Sequence, residues 1–251
     1  MQLSGNTVLI TGGASGIGLA MAGAFLRSGS TVLVCGRSER RLREARARHP
    51  ELHTQVCDVA REEDRQALAQ WTKQNFPGLN VLVNNAGIQR DVDFTGGIGD
   101  FRSGENELRI NLEAPIILSG LFVPQLAGKP GATLINVSSG LGFVPAARMP
   151  VYSASKAGLH AYTLAIRRQL AGVGIRVHEI VPPAVDTGLN PEGRARRGGF
   201  KPELSPEEFA SAVMKGLEMD ILEIGYADTE AFIHASRPEL NRLFERMNSR
   251  M

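Results

Sequence analysis

The feature that most restricts what this chain can fold into is the alternation of short, unbroken apolar runs with stretches of helical spacing. Runs at Thr7 to Ile10, Thr31 to Cys35, Leu52 to Cys57, Val81 to Val83, Thr133 to Val137 and Ile175 to Val181 read as strands, and Ile221 to Ile224 as a seventh. Helical patterns cover Ile17 to Arg27, Glu39 to Arg48, Glu62 to Asn75, Asn106 to Leu126 and Tyr152 to Ala171. A strand that is apolar on both sides must be covered on both faces, and helices placed between such strands supply the cover through right-handed crossovers. The pattern predicts an α/β fold built on one doubly wound parallel sheet. No linker, low-complexity block or long repeat interrupts it, so a single domain over 1–251 is expected.

The turn after the first strand is Thr11-Gly12-Gly13-Ala14-Ser15-Gly16-Ile17-Gly18. Glycines there allow close backbone approach to a pyrophosphate, and the helix N-terminus that follows offers free N–H groups at its positive end. A glycine-rich strand–turn–helix in a doubly wound sheet is the Rossmann-type arrangement for a dinucleotide. An NAD site usually has Asp or Glu at the end of the second strand, to hold the ribose hydroxyls. Here the residues are Cys35-Gly36-Arg37. Gly36 leaves room for a 2′-phosphate and Arg37 can pair with it, so NADP(H) is preferred over NAD(H); alternatively Arg37 only opens an exposed charged helix. Asp58 and Val59 follow the third strand, where Asp58 either accepts from an adenine amino group or caps the next helix. Asn85, Ala86 and Gly87 close the fourth strand, small enough for a cofactor to lie along the backbone.

Tyr152 and Lys156 stand one helical turn apart, so they share a face. A phenol titrates near pH ~10. A neighbouring ammonium favours the phenolate and brings the group toward useful proton transfer. The plain alternative is an exposed lysine beside a half-buried tyrosine.

The net charge of +2, from 28 basic and 26 acidic residues, gives no footprint for nucleic acid or an anionic membrane. The two cysteines, Cys35 and Cys57, each end an apolar run and read as buried free thiols in a reducing compartment, not as a disulfide or metal site. With no leader-like start and no apolar run of spanning length, a cytoplasmic protein is expected. The stretch 186–205 carries Gly188, Gly193, Gly198 and Gly199 beside Arg194, Arg196, Arg197 and Lys201; it reads as a solvated basic loop or as a lid over a site.

Taken together, the Thr11 to Gly18 turn, Asp58, Asn84 to Gly87, Asn111, Ser139, and Tyr152 with Lys156 resemble the short-chain dehydrogenase/reductase family in its compact branch, over essentially the whole chain. The stretches Asn136 to Pro145, Gly158 to Leu164 and Pro182 to Thr187 resemble its DltE-like bacterial oxidoreductases. The resemblance implies a catalytic set. Tyr152 is the general acid for a ketone and Lys156 lowers its pKa while holding the nicotinamide ribose. Ser139, thirteen residues before Tyr152, steadies the carbonyl oxygen, and Asn111 holds a water that replaces the proton. Pro182, Val185 and Thr187 would face the nicotinamide carboxamide. Many members have Pro-Gly where this chain has Pro182-Pro183, and Ser15 stands where some NADP-dependent relatives have a basic residue.

The expected function is hydride transfer between NADP(H) and a small-molecule carbonyl or alcohol, without a metal. Leu141, Phe143, Val144, Met149, Ala184 and Leu189 would form an apolar pocket, or simply pack under the loop. A homodimer or homotetramer on the two long helices is implied by the resemblance. Pro238 to Met251 reads as a short amphipathic helix, with Leu240, Leu243, Phe244 and Met247 on one face. The alternative function is a non-catalytic dinucleotide sensor or scaffold. Sugar-nucleotide chemistry is a third, for which there is little room for a substrate domain.

Overall fold

The computed structural model describes residues 1–196, 198–199 and 201–249. Seven strands, β1 (Thr7–Thr11), β2 (Thr31–Gly36), β3 (His53–Val56), β4 (Val81–Asn84), β5 (Thr133–Val137), β6 (Arg176–Ile180) and β7 (Glu223–Ile224), form one sheet in the order β3-β2-β1-β4-β5-β6-β7. Every neighbouring pair is parallel. The helices are α1 (Gly16–Arg27), α2 (Glu39–Arg48), α3 (Glu62–Asn75), α4 (Gly99–Arg102), α5 (Ala114–Leu126), α6 (Pro150–Leu170), α7 (Pro191–Arg196), α8 (Pro206–Glu218), α9 (Asp228–His234) and α10 (Arg237–Asn248).

The central strands are buried end to end because both faces of the sheet are covered. One apolar layer joins Val8, Ile10, Val32 and Ile180 to Met21 and Phe25 of α1 and to Phe209, Val213 and Leu217 of α8. The other joins Leu9, Leu33, Leu82 and Leu134 to Leu68 of α3, Leu118, Phe122 and Leu126 of α5, and Ile166 and Leu170 of α6. This is a single Rossmann-type α/β fold. The chain leaves β1 in one direction to build β2 and β3, then returns to place β4 on β1's other side. The ends of β1 and β4 therefore flank the point where strand order reverses, the usual place for a ligand crevice.

Three local features depart from the sequence reading. The long helix around Asn111 contains a π-turn, Arg109–Glu113, before α5 begins. The stretch 186–205 is not all loop: it holds α7, and Arg194 pins it by donating to the carbonyls of Thr187 and Val185 at 2.9 and 3.0 Å. Arg197, counted in that basic stretch, lies outside the described residues. The third is a set of helices where none was expected, α4, α9 and, longest of them, α8. Ser205-Pro206-Glu207-Glu208 is the start signal of α8, with Ser205 Oγ accepting from Glu208 N at 3.1 Å. The C-terminal helix ends at Asn248, and its expected end at Met251 lies outside the described residues. Among the described residues no helix is long and apolar enough to cross a membrane.

Candidate active site

A cleft of about 1520 Å³ runs along the carboxyl ends of the strands. Gly12, Ser15, Gly16, Ile17, Gly18, Arg37, Asp58, Val59, Asn85, Ala86, Gly87, Ser139, Tyr152, Lys156, Pro182, Val185 and Thr187 all line it. Asn111 alone of the expected site residues does not; it is fully buried behind the wall.

At one end, the glycine turn is stitched to the end of β4. Asn85 Nδ2 donates to Thr11 O at 2.9 Å, and the N–H groups of Asn85 and Ala86 donate to Thr11 Oγ1, each at 3.0 Å. Gly12 has a φ of +65°, and a Cβ there would lie 2.9 Å from the Ala86 backbone. At Gly18 a Cβ would meet Asn85 Nδ2 at 2.5 Å. Close approach requires glycine at both positions, and at Gly12 the backbone conformation requires it as well. Ser15 begins α1 without a side-chain capping bond, which leaves the N–H groups of the first turn for a group in the cleft.

Arg37 is exposed at the mouth of this end, where its guanidinium pairs with Glu105. Arg40 pairs with Glu44 on its own helix. Asp58 Oδ1 accepts from Ala60 N at 3.0 Å, so it shapes the turn before α3, and it also faces the cleft.

At the other end, Tyr152 and Lys156 project from α6 toward β5. Lys156 Nζ donates to Val137 O at 2.8 Å and lies 5.8 Å from the centre of the Tyr152 ring. Ser139 Oγ accepts from Leu141 N at 3.1 Å and interacts with the phenol. Ser138 turns the other way, bonding Ile180 O at 3.3 Å. Asn111 accepts from Ile88 N through Oδ1 and donates through Nδ2 to Ile88 O and Ser155 Oγ, at 2.9, 2.8 and 3.1 Å. Its side chain fastens the loop after β4 to α6.

The titration behaviour is set first by burial. It pushes Tyr152 up to about 12; the Ser139 hydroxyl opposes this and the Glu107 carboxyl adds to it. The spacing alone suggested a phenol lowered by Lys156; in the folded chain desolvation of the phenolate sets the direction. Burial also brings Lys156 down to about 8, against the pull of Glu179. At neutral pH the site holds a protonated phenol beside an ammonium.

Among the expected pocket residues, Leu141, Met149, Ala184 and Leu189 line the cleft. Phe143 instead packs on His160, ring centres 4.5 Å apart, and Val144 is fully buried. Several neighbours were not singled out from sequence. Glu107, buried four residues before Asn111, accepts from Arg90 N at 3.0 Å. Its helical offset from Asn111 was the available signal. Glu105, Arg90, Arg148, Phe232 and Met247 also line the cleft, brought there by chain segments that carry no motif.

The short chain dehydrogenase family matches residues 6–198. The chain is 45% identical to the uncharacterized oxidoreductase DltE of Bacillus subtilis (strain 168), across 99% of both chains. It is 30% identical to an uncharacterized oxidoreductase of Staphylococcus saprophyticus, covering 87% of this chain and 93% of that one. Among solved structures, a short chain dehydrogenase from Burkholderia cenocepacia J2315, in complex with NADP, superposes with a TM-score of 0.83 at 25% identity, over 97% of this chain and 99% of that one. A Burkholderia phymatum short chain dehydrogenase/reductase in complex with NAD shares the fold, with a TM-score of 0.82 at 20% identity, over 97% and 96% of the two chains. By fold, by the family match along most of its length and by these relatives, the chain belongs to the short chain dehydrogenase family and is an oxidoreductase.

Proposed function

We propose that this enzyme transfers hydride between NADP(H) and a carbonyl or secondary alcohol, with Tyr152 as the general acid and base. The observation that carries this reading is the meeting of Ser139, Tyr152 and Lys156 at one end of a cleft whose other end is the open start of α1. The close glycine-to-backbone approach at Gly12 and the free first turn of α1 fit a dinucleotide pyrophosphate. Once bound, the nicotinamide supplies or accepts the hydride. Tyr152 holds the proton for the substrate oxygen, and the Ser139 hydroxyl donates to that oxygen as charge develops on it. Lys156 keeps a positive charge beside the phenol. Asn111 has its amide committed, so what it offers a proton-relaying water is the backbone of the π-turn. The 186–205 stretch, pinned by Arg194, serves as the lid.

NADP(H) is favoured because the end of β2 presents Gly36 and Arg37 and no acid, and the Burkholderia cenocepacia relative carries NADP. The substrate is a small molecule with apolar bulk, suited to Leu141, Met149, Ala184 and Leu189. The whole chain acts as one domain. Ile116 on α5 and Leu164 on α6 are 38% and 43% exposed, which supports a homo-oligomer on those helices. The free buried thiols of Cys35 and Cys57 support a cytoplasmic enzyme.

The test is turnover of a carbonyl panel with NADPH by the parent and Tyr152→Phe. We expect the variant to lose on the order of 10²- to 10⁴-fold in kcat, the usual scale of a lost general acid, while still binding NADPH. Parental turnover in Tyr152→Phe would overturn the reading; NADPH binding without turnover in the parent would favour a sensor.

A further inference from the structure

Lys156 belongs to a stripe of α6 that continues through His160 and Thr163 to Arg167. Opposite it, in β6, lies Glu179, fully buried beneath the helix. One carboxylate oxygen, Oε2, is 2.8 Å from His160 Nδ1. The other, Oε1, is buried without a hydrogen-bond partner. A carboxylate in that position is strongly disfavoured unless nearby positive charge compensates it.

The groups facing Glu179 narrow the source of that charge. From β5, its register neighbour is Asn136, neutral and committed to Thr163 and Asn84, each at 2.9 Å. From β7 comes Glu223, itself acidic, which Arg167 binds at 3.1 Å. The rest of the Arg167 guanidinium goes to the carbonyls of Val177 and Leu222, at 3.0 and 3.1 Å. What remains is His160, about a quarter exposed, and Lys156. Lys156 bonds Val137, whose strand partner Ile180 is the residue after Glu179.

His160, Glu179 and Glu223 also bring three potential ligand atoms within 4.8 Å of one another. Two carboxylates already answered by Arg167, Lys156 and an imidazole leave no surplus negative charge for a divalent cation, so the cluster reads as a charge network and not as a metal site.

We propose that Glu179, steadied by His160, is a positioning residue that keeps Lys156 charged from beneath α6. This deepens the acid–base reading of Tyr152 and Lys156 and rests on it. Burial lowers Lys156 to about 8 even with Glu179 opposing, so removing that carboxylate should lower it further. The hydrogen bond from His160 in turn holds that imidazole above its ordinary value, against burial. The outer end of the network is thus a quarter exposed and titratable, and the inner end is the cation beside the phenol.

The chain has five lysines, Lys73, Lys129, Lys156, Lys201 and Lys215, of which only Lys156 is buried. That makes 13Cε-lysine NMR a direct readout, with Lys156→Met fixing the assignment. In Glu179→Gln, Lys156 should titrate about one pH unit or more below the parent, and Glu179→Asp should restore most of the difference. The basic limb of kcat against pH should move by the same amount. An unmoved Lys156 titration in folded Glu179→Gln overturns the proposal. If that variant does not fold, the parent suffices: the Lys156 resonance should show a second inflection tracking His160, lost in His160→Gln. A Lys156 curve indifferent to His160 overturns it equally. Full activity in Tyr152→Phe with the Lys156 shift intact would instead overturn the chemistry on which the role depends, and the two failures are separable.

Discussion

At the scale of single residues, the proposed preference for NADP(H) turns on Arg37. Its guanidinium pairs with Glu105, which comes from a segment 68 residues away, across the cleft mouth. Both side chains are about half exposed, so the pair itself is weak, and a 2′-phosphate with more oxygens and more charge should displace it. Replacing Glu105 by Gln should therefore tighten NADP⁺ by about two- to fivefold, the reach of one exposed ion pair. Arg37→Asp should weaken NADPH by about 10- to 100-fold, the scale of a lost charged hydrogen bond, and NADH far less. Titration calorimetry with the two cofactors checks both; equal losses for NADPH and NADH in Arg37→Asp would remove the argument for preference.

At the scale of elements, the turn of helix before the π-turn is held by an acid that ought not to be there. Glu107 is buried, one oxygen accepts from Arg90 N, and the other has no partner; burial pushes its carboxyl from 4.5 up to about 7. The folded protein then binds a proton that the unfolded chain has released, so stability falls as pH rises from about 4.5 to 7 and is level above. Glu107→Gln should abolish that slope, worth on the order of 1–3 kcal/mol, when denaturant unfolding is compared at acid and mildly alkaline pH. Parallel stability curves for parent and variant would show that the shift is not expressed. The same segment shows what a sequence does and does not disclose. Central strands such as β5 were legible because burial on both faces leaves an unbroken apolar word. The glycine turn was legible because close approach permits no other residue. The π-turn was not, since Ala114 to Leu126 is apolar on nearly every side and shows no stripe whose phase an inserted residue could shift. Helix α8 had a start signal at Ser205 to Glu208 that the glycine- and arginine-rich stretch before it obscured. Glu179 interrupts an apolar strand and His160 stands one turn from Lys156, but only the packing of α6 on β6 reveals that they meet. The pairing of Glu105 with Arg37 has no local signature at all.

At the scale of the whole molecule, α5 and α6 cover one face of the sheet yet leave Ile116 and Leu164 toward solvent. Should those side chains seal a subunit interface, Leu164→Glu should shift the species seen by light scattering from dimer or tetramer toward monomer. It should also lower the midpoint of thermal unfolding, because folding and assembly are then linked. A monomeric parent would exclude the interface. A different economy operates at the carboxyl end. Helix α10 buries none of its residues, yet Met247 lines the cleft and Asn248 clasps the loop before α6, accepting from Ala147 N at 2.8 Å and donating to Pro145 O at 3.1 Å. That loop leads into Ala146 and Met149, which pack directly on Tyr152. One wall of the reaction chamber is therefore lent by a helix the core does not need. On the proposed function, substitutions at Met247 should alter which carbonyl compounds are turned over at little cost in stability, because no residue of α10 is buried.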